Sequence, residues 1–373
     1  MKALYLKAPN QFEVRDVQLR APRPDEVIVK IKACGFCGHD KIMAAYHGVE
    51  WQPFGHEFSG VVEELGSAVT NLKVGDRVAI ETSTFNPLDP AVLNGHPEWD
   101  TKGPNYMDME AMEHTAMGFA ERTVVPAVLC VPFDDIPDEE ACFLEPMGVA
   151  ADLILTADIK LGNDVLLMGA GAIGLMALQM AKASGARKIY VAEHKKNKKK
   201  AELALKMRAD EIIYTDEEDL LKFPFPRGGV DRVLVTTPPK TIDMAIKVCN
   251  VGGIVAFLGI SYGPAAIVSF DSNVVHLNKL QIRGSNAIPA LYFPQCIDLL
   301  KAGIVDVKPL ISHRFRLEDA PEGIHAFLNE SDIAAKIETL LNDAELRNKL
   351  TLNLSNEKTG NEEEIKKFYA ILK

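Results

Sequence analysis

Gly169-Ala170-Gly171-Ala172-Ile173-Gly174 follows the apolar run Asp164-Val165-Leu166-Leu167-Met168 without a gap and opens a helix-like stretch from Ala172 to Ser184. A G-x-G-x-x-G run between a buried strand and a helix is one of the tightest constraints a chain can carry. The first glycine permits a sharp turn, the second lets backbone approach a pyrophosphate, and the third lets helix pack close to strand. The helix N-terminus then faces the phosphates. Glu193 ends the next strand-like run, a little over about 20 residues on, where a carboxylate accepts hydrogen bonds from ribose hydroxyls. Its charge repels a 2′-phosphate, so NAD is expected in preference to NADP. The run His194-Lys195-Lys196-Asn197-Lys198-Lys199-Lys200 keeps NADP possible, although such lysines more commonly make a solvated face.

Around this turn the chain alternates strand and helix. Strands are expected at 164–168, 188–191, 211–213, 231–235 and 254–258, with helices at 172–184, 198–207 and 241–249. That rhythm implies a parallel sheet covered by helices on both faces. From Met1 to about Pro132 the texture differs. Short alternating runs such as Glu26-Val27-Ile28-Val29-Lys30-Ile31-Lys32, broken by Gly and Pro, predict an antiparallel, barrel-like β domain. Thr82 to Ala116 lacks that period and reads as a long excursion lobe. Beyond Gly284, helices near 294–302 and 318–328 and a strand at 335–338 suggest a return to the first domain. Ile365, Phe368, Tyr369 and Leu372 recur at helical spacing in an otherwise polar tail. That tail is read as partly ordered, with a docking amphipathic helix as the sharper reading.

Six cysteines are scattered through the 373 residues, too irregular for a disulfide framework. Cys34-Gly35-Phe36-Cys37 has no second C-x-x-C to complete a four-cysteine zinc site. A catalytic zinc instead needs three protein ligands of N, S or O type and an open position. Cys37, His56 and either Glu57 or Glu145 supply that set, with Asp40 as an acceptor that would orient the His56 ring.

Cys34-Gly35-Phe36-Cys37-Gly38-His39-Asp40, Gly55-His56-Glu57, Val74-Gly75-Asp76-Arg77-Val78, Gly118-Phe119-Ala120-Glu121, Phe143-Leu144-Glu145-Pro146, the Gly169–Gly174 turn and the strand ending Leu258-Gly259 occur in that order. In this series the chain resembles the zinc-dependent medium-chain alcohol and polyol dehydrogenases, nearly throughout to about Glu338. The resemblance implies an α/β plus β fold, a GroES-like β-barrel-type catalytic domain joined to a Rossmann domain with a doubly wound parallel sheet. The implied boundaries are 1–152 and 289–345 for the catalytic domain, 153–288 for the Rossmann domain and 346–373 for a C-terminal extension. Carried over, Cys37, His56 and Glu145 are zinc ligands, Glu57 is an exchangeable ligand or a close carboxylate, and Cys34 is a non-ligand nearby. Gly169, Gly171, Ala172, Ile173, Gly174, Glu193, Leu258 and Gly259 would line the nicotinamide cofactor. The glutamate of Phe143-Leu144-Glu145-Pro146 resembles the sorbitol and sugar-alcohol branch, in which vicinal hydroxyls could chelate a Lewis-acidic zinc.

Three departures accompany the resemblance. The lobe at 82–116 lacks the family's four cysteines, so one catalytic zinc and no structural zinc is expected; His96 and His114 read as surface polar residues. His39 stands where relatives carry a proton-relaying hydroxyl, a role histidine can fill. Ser285-Asn286-Ala287 lacks an arginine that some relatives set against the pyrophosphate. The implied reaction is oxidation of a secondary alcohol of polyol, sugar or sugar-alcohol type to a ketone. A threonine-type amino-alcohol dehydrogenase, a zinc-free quinone or alkene reductase and a catalytically silent nicotinamide-binding protein are the alternatives. Phe36, the segment near Trp51, the lobe and the region after Gly284 are the expected pocket walls.

Composition narrows the partners. Hydrophobic residues are 47% and charged residues 25%, ordinary for a globular chain. A net charge of −11 argues against nucleic acid. No apolar stretch approaches the roughly 18 residues that span a bilayer. With no signal-like N-terminus, the expectation is a cytoplasmic enzyme acting on a small molecule, with no membrane partner. By resemblance it would be a homo-oligomer, dimer or tetramer.

Overall fold

The computed structural model describes residues 1–100, 102–108 and 112–329. The strand expected at 335–338 and the tail from 346 lie outside the described residues. The β-rich part contains β1 (Lys2–Lys7), β2 (Gln11–Asp16), β3 (Glu26–Gly35), β4 (Gln52–Pro53), β5 (Glu57–Leu65), β6 (Arg77–Ile80), β7 (Arg122–Pro126) and β8 (Cys130–Pro132). They form an antiparallel five-stranded sheet in the order β7-β3-β5-β6-β8 and a three-stranded sheet β2-β1-β4. Val27, Val29, Phe58, Val62, Val78, Ile80 and Leu129 pack into one core on the five-stranded sheet, as alternation along β3 and β5 requires.

The excursion lobe is anchored to this core by packing and buried polar contacts. Tyr106 is fully buried against Phe58 and hydrogen-bonds Thr123 at 2.8 Å. The buried Asp100 carboxylate takes the Asn86 N–H at 2.5 Å and the Lys102 N–H at 2.8 Å, tying two lobe segments together. A short helix, Pro90–Leu93, is capped by Asp89.

The second part is a parallel sheet of β9 (Asp164–Met168), β10 (Lys188–Glu193), β11 (Glu211–Tyr214), β12 (Val230–Val235), β13 (Cys249–Phe257) and β14 (Gln281–Gly284). Its order is β11-β10-β9-β12-β13-β14, with every pair parallel. The chain order therefore reverses between β9 and β12, which opens a crevice at the carboxyl ends of these two strands. All five residues of β9 are buried, the mark of a central strand covered on both faces. Val165 and Leu167 face one core with Ile189, Val191, Met176 and Phe293. Leu166 and Met168 face the other with Tyr190, Ile213, Ile242 and Val255.

These two parts are the expected fold class. The local differences have local causes. Cys249 begins β13 instead of ending a helix, because its backbone pairs with Val230; the preceding helix is Ile242–Lys247. The four-residue edge strand β14 was not anticipated, since Gln281 and Arg283 interrupt its apolar signal. Helix Leu144–Ala157 was not anticipated either. It is buried nearly all round, so it shows no one-sided periodicity. That helix packs against β5 and β6 of one part and β12, β13 and β14 of the other. Helix Phe293–Lys301 packs on it through Phe293, Cys296 and Ile297. Helix Ala320–Asn329 lies against the β-rich part, with Ala320, Ile324 and Leu328 beside Leu4, Leu6 and Phe54.

Candidate metal centre and cofactor crevice

The pairing of β3 with β5 brings distant residues together. Gly35 pairs with Glu57 and Cys34 with Phe58, so Cys37, just beyond β3, meets the start of β5. A Cβ at Gly35 would crowd the Glu57 carboxylate and displace it from its present position. His56 precedes Glu57 and follows Gly55, whose φ of +96° and close approach to Phe119 and Cys34 Sγ exclude a side chain. Cys37 is the N-cap of the short helix Gly38–Ile42. Its thiolate position receives the His39 N–H at 3.4 Å, and Asp40 takes the Cys37 N–H at 3.0 Å in return.

Ligand atoms of Cys37, His56 and Glu57 all lie within 4.8 Å of one another, the one such group of metal-binding type among the described residues. Glu145, at the start of helix Leu144–Ala157, stands outside this group. Its charge nevertheless raises the Cys37 and Glu57 pKa values, and it hydrogen-bonds Thr82. Asp40 Oδ1 is 3.8 Å from His56 Nδ1, too long for a hydrogen bond, so the expected orienting contact is replaced by Asp40's bond to Cys37 N–H. His39 is exposed at the helix start, its ring 6.3 Å from that of His56. Cys34 is walled in by Gly55 and Gly118. Phe36, partly buried, packs with Phe12, Phe54 and Phe119 in an aromatic cluster.

The electrostatics describe a site built for a cation. Burial first, then the neighbouring carboxylates, pushes the Cys37 thiol up; burial and Glu145 do the same to Glu57. Burial raises Asp40 and Glu145 each to about 7 and lowers His56 to about 4. His56 Nδ1 is buried with no hydrogen-bond partner among the described residues. A thiolate and two carboxylates pressed together this way repel one another, the neutral imidazole adds a nitrogen donor beside them, and a divalent ion reverses the repulsion. The sulfur, nitrogen and oxygen donors suit zinc.

At the β9–β12 crevice, Gly169 has a φ of +98° and a Cβ there would meet Thr236 and Thr237. A Cβ at Gly174 would run into the Gly169 carbonyl. Gly171 differs, because a Cβ there meets nothing within 4 Å. It is the N-cap of helix Ala172–Ala183 without a side-chain cap, an open cradle of backbone N–H groups suited to a phosphate. Ala172 is exposed and Ile173 half-buried beside it. Leu258 and Gly259 follow β13 at the same end of the sheet, with Gly259 close against the Thr237 carbonyl. Glu193 is buried at the end of β10 and accepts the Ala170 N–H at 3.0 Å. It also takes the His194 N–H and the Asn197 side-chain amide, both at 2.8 Å. Asn197 stands at the N-cap of helix Lys198–Lys206, and an asparagine opening a helix is the signal in sequence that marks it. In that run Lys195 pairs with Glu217 and Lys198 with Glu202. Ser285 bonds Asp152 at 2.5 Å, which also receives the Tyr292 hydroxyl at 2.7 Å. Across the mouth between the two parts, the His47 and Tyr262 rings lie 4.6 Å apart.

Comparison with known proteins agrees with this geometry. Residues 23–138 match the alcohol dehydrogenase GroES-like domain and residues 172–302 the zinc-binding dehydrogenase domain. An L-threonine 3-dehydrogenase of Bacillus licheniformis is 32% identical over 339 residues, 87% of this chain and 94% of that one. A zinc-binding dehydrogenase of Sinorhizobium meliloti, solved bound to NADP, superposes with a TM-score of 0.76 at 26% identity, over 87% of this chain and 94% of that one. An alcohol dehydrogenase of E. coli, solved with NADH, gives 0.79 at 25% identity, over 89% and 96%. Fold, crevice and sequence kinship converge, and the chain belongs to the zinc-dependent medium-chain alcohol dehydrogenase family.

Proposed function

We propose that the protein oxidises a secondary alcohol of polyol or sugar-alcohol type to the ketone, passing hydride to NAD and releasing a proton. The observation that carries this is the convergence of Cys37, His56 and Glu57 within 4.8 Å, with Glu145 beside them. Those residues would hold one zinc, with Glu57 and Glu145 as the exchangeable oxygen donors. When bound, the zinc would supply Lewis acidity toward a substrate hydroxyl and the nicotinamide would supply the hydride acceptor. Asp40 keeps the Cys37 segment in place through the 3.0 Å backbone contact. His39, whose ring lies 6.3 Å from that of His56, carries a ring nitrogen able to accept the hydroxyl proton. The glycine turn and Glu193 orient the dinucleotide, and the Glu193 charge supports NAD over NADP.

A second reading is supported by the curated L-threonine 3-dehydrogenases. Threonine's 3-hydroxyl is also a secondary alcohol flanked by a polar group, so the same chemistry serves it. A panel of polyols, sugar alcohols, sugar phosphates and L-threonine, assayed with NAD and NADP alongside zinc analysis, tests both. About one zinc per chain is expected. Cys37→Ser should lose that zinc and roughly 100-fold or more of the activity. Unchanged zinc and turnover in Cys37→Ser would remove the metal assignment. Oxidation of L-threonine without polyol turnover would select the second reading.

A further inference from the structure

We infer that Asn197 is a positioning residue for the adenosine ribose of the dinucleotide, an inference that rests on the cofactor reading proposed above. Glu193 is only 8% exposed, and its carboxylate already has protein donors on both oxygens. The Ala170 N–H reaches Oε2 at 3.0 Å, while Oε1 receives the His194 N–H and Asn197 Nδ2, each at 2.8 Å. An ionised carboxylate offers about four acceptor positions. The remaining one belongs to Oε2, the oxygen that Ala170 holds against the glycine turn.

Asn197 is free to take a different job. It occupies the N-cap of helix Lys198–Lys206, where an asparagine side chain ordinarily accepts a first-turn N–H. No side-chain cap bond is made there. The amide is turned onto Glu193 instead. Together with His194 it saturates Oε1 and stops the carboxylate rotating about its last bond, so the oxygen with spare capacity stays beside the phosphate loop. A ribose 2′-hydroxyl can donate to that oxygen. A 2′-phosphate, which has no hydroxyl there, gains nothing from the same orientation and meets the full negative charge.

The test is a fluorescence titration of the full chain with NADH and with NADPH, accompanied by thermal melting, for wild type, Asn197→Ala and Asn197→Gln. Asn197→Ala is expected to raise the NADH dissociation constant by about five- to tenfold. The NADPH constant should move less than about twofold, and the melting temperature should fall by a few degrees at most, since the one bond lost is that to Glu193. Asn197→Gln keeps the amide donor and should recover most of the NADH affinity. An NADH constant in Asn197→Ala within about twofold of wild type overturns the inference. So does equal weakening of both nucleotides, the pattern of a structural residue. Wild-type protein that binds neither nucleotide overturns the cofactor reading itself, a result distinguishable from both.

Discussion

Glu81, immediately after β6, is a carboxyl that folding keeps from water. It is 8% exposed and accepts the Phe293 N–H, and burial pushes its pKa from 4.5 up to about 8. Between those two values the unfolded chain releases the proton while the folded chain keeps it. Stability therefore falls as pH rises through that window, by at most about 1.4 kcal/mol per pH unit from this group. Glu81→Gln keeps the acceptor carbonyl and removes the titration. It should melt a few degrees above wild type at pH 8 and close to it at pH 5, at roughly 2–4 °C per kcal/mol. Equal melting temperatures at pH 8 would show that the carboxyl carries no such penalty. Residue types were the legible layer at the metal site. Cys37, His56 and the two candidate glutamates were recognisable as donors from their chemistry. Which carboxylate joins the cysteine and histidine could not be read along the chain, because it depends on one strand pairing and on where a helix begins. The same holds for Asp40, whose carboxylate serves the Cys37 N–H and stands 3.8 Å from His56 Nδ1.

The glycine turn shows how an element divides its work among similar residues. A methyl at Gly174 would press on the Gly169 carbonyl, a rigid backbone atom, whereas one at Gly171 enters empty space. Gly174→Ala should thus destabilise the fold by about 1–3 kcal/mol. Gly171→Ala should leave the melting temperature near wild type and weaken NADH binding by roughly 10-fold or more, because its methyl fills the phosphate cradle. Denaturant unfolding and nucleotide titration of both variants check the split; a reversal of the two effects would mean that the cradle is elsewhere. Strands β9, β10 and β12 and helix Ala172–Ala183 were legible because their apolar runs are uninterrupted or their punctuation is strong. Helix Leu144–Ala157 was hidden by burial nearly all round. β14 was hidden by its polar alternate residues at the edge of the sheet.

At the scale of the molecule, helix Leu144–Ala157 couples the two halves of the proposed chemistry. Its first turn carries Glu145 beside the metal donors, and its body packs on the parallel sheet. Ligands on either side of the crevice should therefore stabilise the whole chain. NADH at about 100 times its dissociation constant should add about 2.7 kcal/mol. Removing metal with a chelator should lower the melting temperature, and zinc should restore it. A melting curve insensitive to both treatments would contradict the two-sided site.

Read along the chain alone, the glycine turn already required a parallel nucleotide-type sheet, and the ordered series of short motifs already implied the partner β domain and its donor residues. Those features are local, set by backbone freedom and side-chain chemistry within a few residues. The convergence of Cys37 with His56 and Glu57 and the position of Glu145 beyond them both waited on packing. Each depends on atoms brought together by strand pairing or helix docking, and distances of this kind have no imprint on any single stretch of sequence.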